Sequence, residues 1–162
     1  MTGVQTCALP ICASWVEHVS WSTDPTKDRI LATSAGKKIK FWSANGNLIR
    51  ETSDQPTTIS DIQWNPKENI LASISYGGIK LWSPDITNEL RIFDWQGSAL
   101  KIDWSPDTRF IATGDQDSTV HFWFVETGQD LQMSGYPTKI RELSWDKSSR
   151  YLATGGGSQI VI

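Results

Sequence analysis

The chain has 162 residues, 18 acidic and 15 basic side chains for a net charge of −3, two cysteines, two histidines and nine tryptophans. That is enough for one domain with a buried core, and the moderate charge argues against disorder. No apolar run reaches the roughly 18–20 residues of a membrane helix. Basic residues lie singly or in pairs, as at Lys37 and Lys38, so neither a membrane span nor a nucleic-acid stripe is expected.

The opening segment, MTGVQTCALPI, is uncharged and lacks the basic n-region of a secretory signal. It resembles the translation of a sequencing-library adapter read from a GTG start. Residues 1–11 are therefore expected to be adapter-derived and not native. Cys12 is then the only cysteine left, which provides no material for a disulfide framework or a cysteine metal site.

From Cys12 onward the chain repeats itself. The first copy runs from Val16 and Val19 to Trp21, through the turn STDPTKDR, ILAT from Ile30, a turn at Gly36 and IKFW ending on Trp42, and closes with NLIR from Asn47. The second has Ile59, Ile62 and Trp64, the turn NPKEN, ILAS from Ile70, Gly77-Gly78, IKLW ending on Trp82, and ELRIF from Glu89. The third has Ala99, Ile102 and Trp104, the turn SPDTR, FIAT from Phe110, GDQDS, VHFW ending on Trp123, and DLQM from Asp130. The fourth has Ile140, Leu143 and Trp145, the turn DKSSR, YLAT from Tyr151, Gly155 to Gly157, and QIVI ending at Ile162. Trp21, Trp64, Trp104 and Trp145 are spaced by 43, 40 and 41, and Trp42, Trp82 and Trp123 by 40 and 41. A further tryptophan is due at about position 163 in this 40-residue rhythm. Both ends of the chain are therefore expected to be the ends of a fragment.

Each copy reads as four short strands joined by hairpin turns, that is, a twisted antiparallel sheet. Apolar positions five and two residues before the first tryptophan are separated by three, which breaks strand alternation; a bulge near the strand start restores a common face. Such a sheet has two apolar faces and cannot bury them alone, so copies must stack.

The pattern of apolar-Trp-Ser-Pro, L-A-T/S, a turn, then apolar-x-aromatic-Trp resembles the WD-repeat propeller family over essentially all of Cys12 to Ile162. The resemblance implies an all-β fold: an incomplete β-propeller of four-stranded antiparallel blades, an open arc of about three and three-quarter blades. The expected blades span roughly 12–46, 47–88, 89–128 and 129–162. It also implies a platform for protein partners. The Trp-Asp dipeptide that names the family is absent: Ser43, Ser83 and Phe124 follow the second tryptophans. The Gly-His pair is missing, with Asp94-Trp95 and Gly135-Tyr136 in its place, and the turn aspartate survives once, as Asp117, with no histidine expected beside it. The blades are therefore expected to rely on packing of Trp21, Trp42, Trp64, Trp82, Trp104, Trp123 and Trp145 more than on the family's hydrogen-bond relay.

No nucleophile elbow, P-loop or metal set is present, and His18 and His121 read as surface strand residues. Neither a cofactor nor a small-molecule substrate is expected. By position, the resemblance places partner contacts at the first-strand bulge (Glu17, Ser60, Leu100, Arg141), two residues before it (Thr58, Ser98, Lys139), and at the turn between the second and third strands (Tyr76, Gln116). Trp15 and Trp95 stand outside both tryptophan series, where packing fillers are commoner than ligand stackers. Interfaces favour Tyr, Trp and Arg, which singles out Arg141, Tyr76, Trp95 and Tyr136 as anchors. The leading expectation is a non-catalytic protein-interaction scaffold. The alternative is a regulatory or substrate-docking domain of a larger enzyme or signalling protein; a catalytic propeller ranks last. Low cysteine content is compatible with a reducing cytoplasm.

Overall fold

The computed structural model describes residues 14–24 and 26–162, so the adapter-like segment 1–11 and Cys12 lie outside the described residues. The strands are β1 (His18–Trp21), β2 (Ile30–Ala35), β3 (Lys38–Ser43), β4 (Leu48–Glu51), β5 (Ile59–Trp64), β6 (Leu71–Trp82), β7 (Arg91–Trp104), β8 (Phe110–Asp115), β9 (Val120–Phe124), β10 (Asp130–Met133), β11 (Glu142–Trp145), β12 (Leu152–Gly156) and β13 (Gln159–Val161). All pairing between them is antiparallel, in the orders β1-β2-β3-β4, β10-β9-β8-β7-β6-β5 and β11-β12-β13.

The six-stranded sheet is two blades joined through β7. The first half of β6 pairs with β5 and its second half with β7. Trp82 Nε1 donates to Ser73 Oγ at 2.8 Å. Residues nine apart on a straight strand would be separated by about 30 Å, so β6 doubles back on itself. The fold-back lies at Tyr76–Gly78, where Gly78 has φ +117° and a Cβ would stand 2.0 Å from the Phe93 carbonyl oxygen. Only glycine fits there. In the same way β7 closes one blade with Arg91–Trp95 and opens the next at Ala99.

The pairing moves the blade boundaries. Leu48–Glu51 bonds to β3, Arg91–Trp95 to the second half of β6, and Asp130–Met133 to β9. Boundaries at 46, 88 and 128 would leave each closing strand with the wrong blade. A closing strand takes its backbone partners from the hairpin before it, which the tryptophan rhythm does not reveal.

The predicted bulge is present. In β5 the register slips between Ile59 and Asp61, around Ser60, and in β7 between Ala99 and Lys101, around Leu100. Glu17 and Arg141 occupy the same place beside β1 and β11, donating to the carbonyls of Ser34 and Gly155 at 3.0 and 3.2 Å. The extra residue turns Ile59 and Ile62, or Ala99 and Ile102, to one buried side.

The core lies between blades. Ala32, Ile39 and Phe41 of the first meet Ile59, Ile62, Trp64, Leu71 and Trp82 of the second. Ala72, Ile74, Ile79, Leu81 and Phe93 meet Ala99, Ile102, Trp104, Ile111 and Trp123. Ala112 and Val120 meet Ile140 and Leu152. Of the tryptophans expected inside, Trp42, Trp64, Trp82, Trp104 and Trp123 are buried and Trp145 is partly so, but Trp21 is 46% exposed. Its ring belongs to the face that the other blades bury against a preceding one, and among the described residues no blade precedes it.

A polar ladder also joins the blades. Trp64, Trp104 and Trp145 donate their indole N–H to the carbonyls of Ser20, Gln63 and Asp103, at 2.9, 3.2 and 3.4 Å. Each acceptor immediately precedes the first-series tryptophan of the blade before. Gln63 Oε1 also accepts from the Trp104 amide at 2.7 Å, while its Nε2 donates to Asp103 at 2.7 Å. On the outer strands arginines bind the following blade. Arg50 donates to the carbonyls of Ser83, Ile86 and Thr87 with its guanidinium over Phe41. Arg91 donates to those of Val125 and Glu126, 4.8 Å from the Phe93 ring. Arg91→Ala is expected to cost about 1–3 kcal/mol in urea unfolding, through lost charge-assisted bonds and stacking. Arg91→Lys should recover only part of this, because an ammonium cannot span two carbonyls with a planar fork.

Candidate protein-docking site

One end of each blade carries the bulge and the turn between second and third strands, and the residues expected to meet a partner converge there. Ser98 pairs with Tyr76 across β6 and β7, and its carbonyl accepts from the Gln116 amide at 2.9 Å. Thr57, next to Thr58, reaches the Tyr76 carbonyl at 3.4 Å. The amides of Ile59 and Ile140 donate to the carbonyls of Gly36 and Asp115, at 2.9 and 3.1 Å, so each of these turns is bonded to the blade that follows. The end is therefore a rigid rim of short turns. Glu17, Thr58, Tyr76, Gln116 and Arg141 are exposed, and Ser60, Ser98, Leu100 and Lys139 half-buried. Lys139 and Arg141 border an open cleft of about 440 Å³ with Gly155, Gly156, Gly157 and Ser158.

Trp95 and Tyr136 do not stand out as free anchors. Trp95 is half-buried against the core, with its ring 4.6 Å from that of His121. Tyr136 packs on the last core cluster and its hydroxyl bonds Thr154 Oγ1 at 2.7 Å. Both sit nine residues before a core tryptophan, where a large ring fills the join between blades. The off-series Trp15 is 91% exposed.

The assignment of His121 changes as well, whereas His18 keeps its place on a partly exposed strand. His121 is buried, with Nδ1 3.0 Å from Asp130 and Nε2 3.9 Å from Asp115. His18 lies 3.5 Å from Asp61, which is itself buried and also meets Lys101 at 2.9 Å. The carboxylate expected to hold the third turn, Asp117, is exposed and bonds Thr119 Oγ1 at 2.6 Å. The buried one is Asp115, two residues earlier and fully covered; burial, with the Asp117 charge adding to it, pushes its carboxyl up to about 7. His121, from the third strand of the same blade, thus lies beside Asp115 without a hydrogen bond between them, and among the described residues no carboxylate–histidine relay holds this turn. In the first two blades the second-series tryptophan donates to Thr33 or Ser73, at 3.1 and 2.8 Å, but among the described residues Trp123 Nε1 has no such partner, and its ring stacks on His121 at 5.9 Å. Asp103, between the inner strands, is raised by burial, while Gln63, the Trp145 amide and Lys101 oppose the shift. The alternating strand pattern marked these polar positions but not that a neighbouring blade covers them.

Among the described residues no three His, Cys, Asp or Glu side chains are grouped to hold a metal. The site presents a rim of hydroxyl, amide, aromatic and cationic side chains on fixed turns, which is suited to binding an irregular surface.

Comparison with known proteins agrees with this geometry. The family model of eukaryotic translation initiation factor eIF2A matches residues 1–129. Meiotic recombination protein rec14 of Schizosaccharomyces pombe is 26% identical over 153 residues, covering 90% of this chain and 50% of that protein. Eukaryotic translation initiation factor 3 subunit I of Aspergillus fumigatus is 29% identical over 104 residues, covering 62% of this chain and 31% of that protein. The chain thus spans half or less of the length of these relatives, which are WD-repeat proteins. In the crystal structure of the mitotic checkpoint complex, one chain superposes with a TM-score of 0.79 at 21% identity, covering 90% of this chain and 45% of that one. The fold is an incomplete β-propeller of WD-repeat type. With four-fifths of its length matched by that model, the chain belongs to the family of eukaryotic translation initiation factor eIF2A.

Proposed function

We propose that this propeller is a non-catalytic platform for protein partners, engaged through the rim that carries the bulges and the turns between second and third strands, and that its parent works in translation initiation. One observation carries the reading: side chains at equivalent rim positions differ from blade to blade on a framework that repeats. Glu17, Ser60, Leu100 and Arg141 share one position, and Thr58, Ser98 and Lys139 another. A rim that served only to close the fold would repeat as the tryptophans do. The family description and the initiation-factor relative support the choice of pathway.

The test compares the two ends. In a cell extract active in translation, the parent protein is followed through a sucrose gradient. Tyr76→Ala and Arg141→Ala, both exposed, should shift it at least about threefold from initiation-complex fractions toward free protein, as for loss of a hot-spot contact of 1 kcal/mol or more. Lys67→Ala, in the turn at the opposite end of its blade, should leave it in place. If Lys67→Ala displaces the protein and the rim variants do not, the docking end is wrongly assigned.

A further inference from the structure

The turn between β3 and β4, Ser43 to Asn47, reads SANGN and is held by bonds of its own. The Gly46 amide donates to the Ser43 carbonyl at 2.9 Å, and the Ser43 amide to the Asn47 carbonyl at 2.9 Å. The Asn47 amide donates to Ser43 Oγ at 3.1 Å. Gly46 has φ +82°, a left-handed conformation that glycine adopts without steric strain. Asn45 is exposed, and among the described residues no hydrogen bond holds its side-chain amide.

The chemistry follows from what stands next to Asn45. Attack on its side-chain carbonyl carbon by the backbone nitrogen of residue 46 closes a five-membered imide. A side chain at residue 46 would crowd that approach, and glycine has none. The other four asparagines are less open to it. Asn65 precedes Pro66, whose nitrogen has no proton to lose, and its Oδ1 accepts the amides of Lys67 and Glu68 at 2.8 and 3.1 Å. Asn69 precedes the β-branched Ile70. Asn47 and Asn88 are exposed, but Leu48 and Glu89 follow them. Exposure and an uncovered neighbouring nitrogen therefore coincide, among the described residues, at Asn45 alone.

We propose that Asn45-Gly46 is a deamidation site, which converts without an enzyme to aspartate and isoaspartate as the protein ages. The Gly46 bond to Ser43 opens first, at little cost because the turn is exposed and its bonds are local. The Gly46 nitrogen then loses its proton to base and bonds to Asn45 Cγ. Ammonia leaves, carrying the side-chain nitrogen. Water opens the imide at either carbonyl. Opening at Cγ leaves aspartate on an unchanged main chain. Opening at the Asn45 main-chain carbonyl leaves isoaspartate, whose chain runs on through Cβ and Cγ. Both products add a negative charge to the first blade, at the far end of β3 from the Gly36 rim turn, so the site is independent of the docking reading.

Peptide mapping of the whole 162-residue chain, aged in warm buffer at neutral and mildly alkaline pH, tests this. Trypsin releases residues 41–50 as one peptide, in which fragmentation separates position 45 from position 47 and isoaspartate from aspartate. Asn45 should convert at least about tenfold faster than Asn47 or Asn88, because glycine leaves the attacking nitrogen uncovered. Both acids should form, and the rate should rise with pH as the nitrogen is deprotonated more often. In Asn45→Gln the position should stay intact over the same period, since the longer side chain closes a larger, less favourable ring. Conversion at Asn45 no faster than at Asn47 or Asn88 would overturn the inference. So would aspartate without isoaspartate, the mark of direct amide hydrolysis.

Discussion

Trp104→Ala is expected to lower the unfolding free energy by about 3–5 kcal/mol, and Asp117→Ala by less than about 1 kcal/mol. Trp104 is 3% exposed at the junction of the second and third blades, where its ring joins the largest core cluster. Burial removes roughly 200 Å² from water, on the order of 4–5 kcal/mol at about 25 cal/mol per Å² before ordering entropy. Its indole N–H also bonds the Gln63 carbonyl, so alanine leaves both a cavity and an acceptor without its donor. Asp117 is exposed and, among the described residues, bonds the Thr119 hydroxyl two positions on, a contact worth about 1 kcal/mol or less in water. Urea unfolding of both variants at one fixed protein concentration makes the comparison, since self-association would make apparent stability concentration-dependent. Equal midpoint shifts would show that the turn carboxylate matters as much as the packed ring.

The second large effect is on pH dependence, and it belongs to Asp115. Its carboxyl, fully covered between strands, is pushed up to about 7, whereas an unfolded chain exposes it near 3.9. The folded state therefore holds a proton that the unfolded state releases. The stabilisation is complete below about pH 4 and is lost as pH rises through about 7. At 1.36 kcal/mol per pH unit between the two values, the loss between pH 4 and 8 is about 2–4 kcal/mol. Asp115→Asn keeps the size and removes the titration, so stability against pH should flatten over that window. If the slope persists in the variant, the buried proton belongs to another group.

Much of this architecture is legible in the chain alone, because a repeat must stack and its apolar spacing states which faces meet. The two tryptophan series, the break of alternation that requires a bulge, and the glycine turn at Gly77–Gly78 follow from local chemistry, and each occurs at the expected residue. The position of the candidate rim was legible for the same reason: bulges and turns are places along a strand. What only the tertiary structure decided is which polar side chains another blade covers. His121 looks like a solvated strand position yet is buried among Asp115, Asp130 and the Trp95 ring, and Asp61 is buried where the inner strands of successive blades exchange a hydrogen bond. Trp95 and Tyr136 look like anchors and instead fill joins between blades, and Trp21 looks like core and is half exposed. Burial at these sites depends on contacts 9 to 41 residues away, and a one-dimensional pattern records only that a side chain is polar or apolar. The arginine clamps at Arg50 and Arg91 were invisible for the same reason, since their partners are carbonyls, which every residue has.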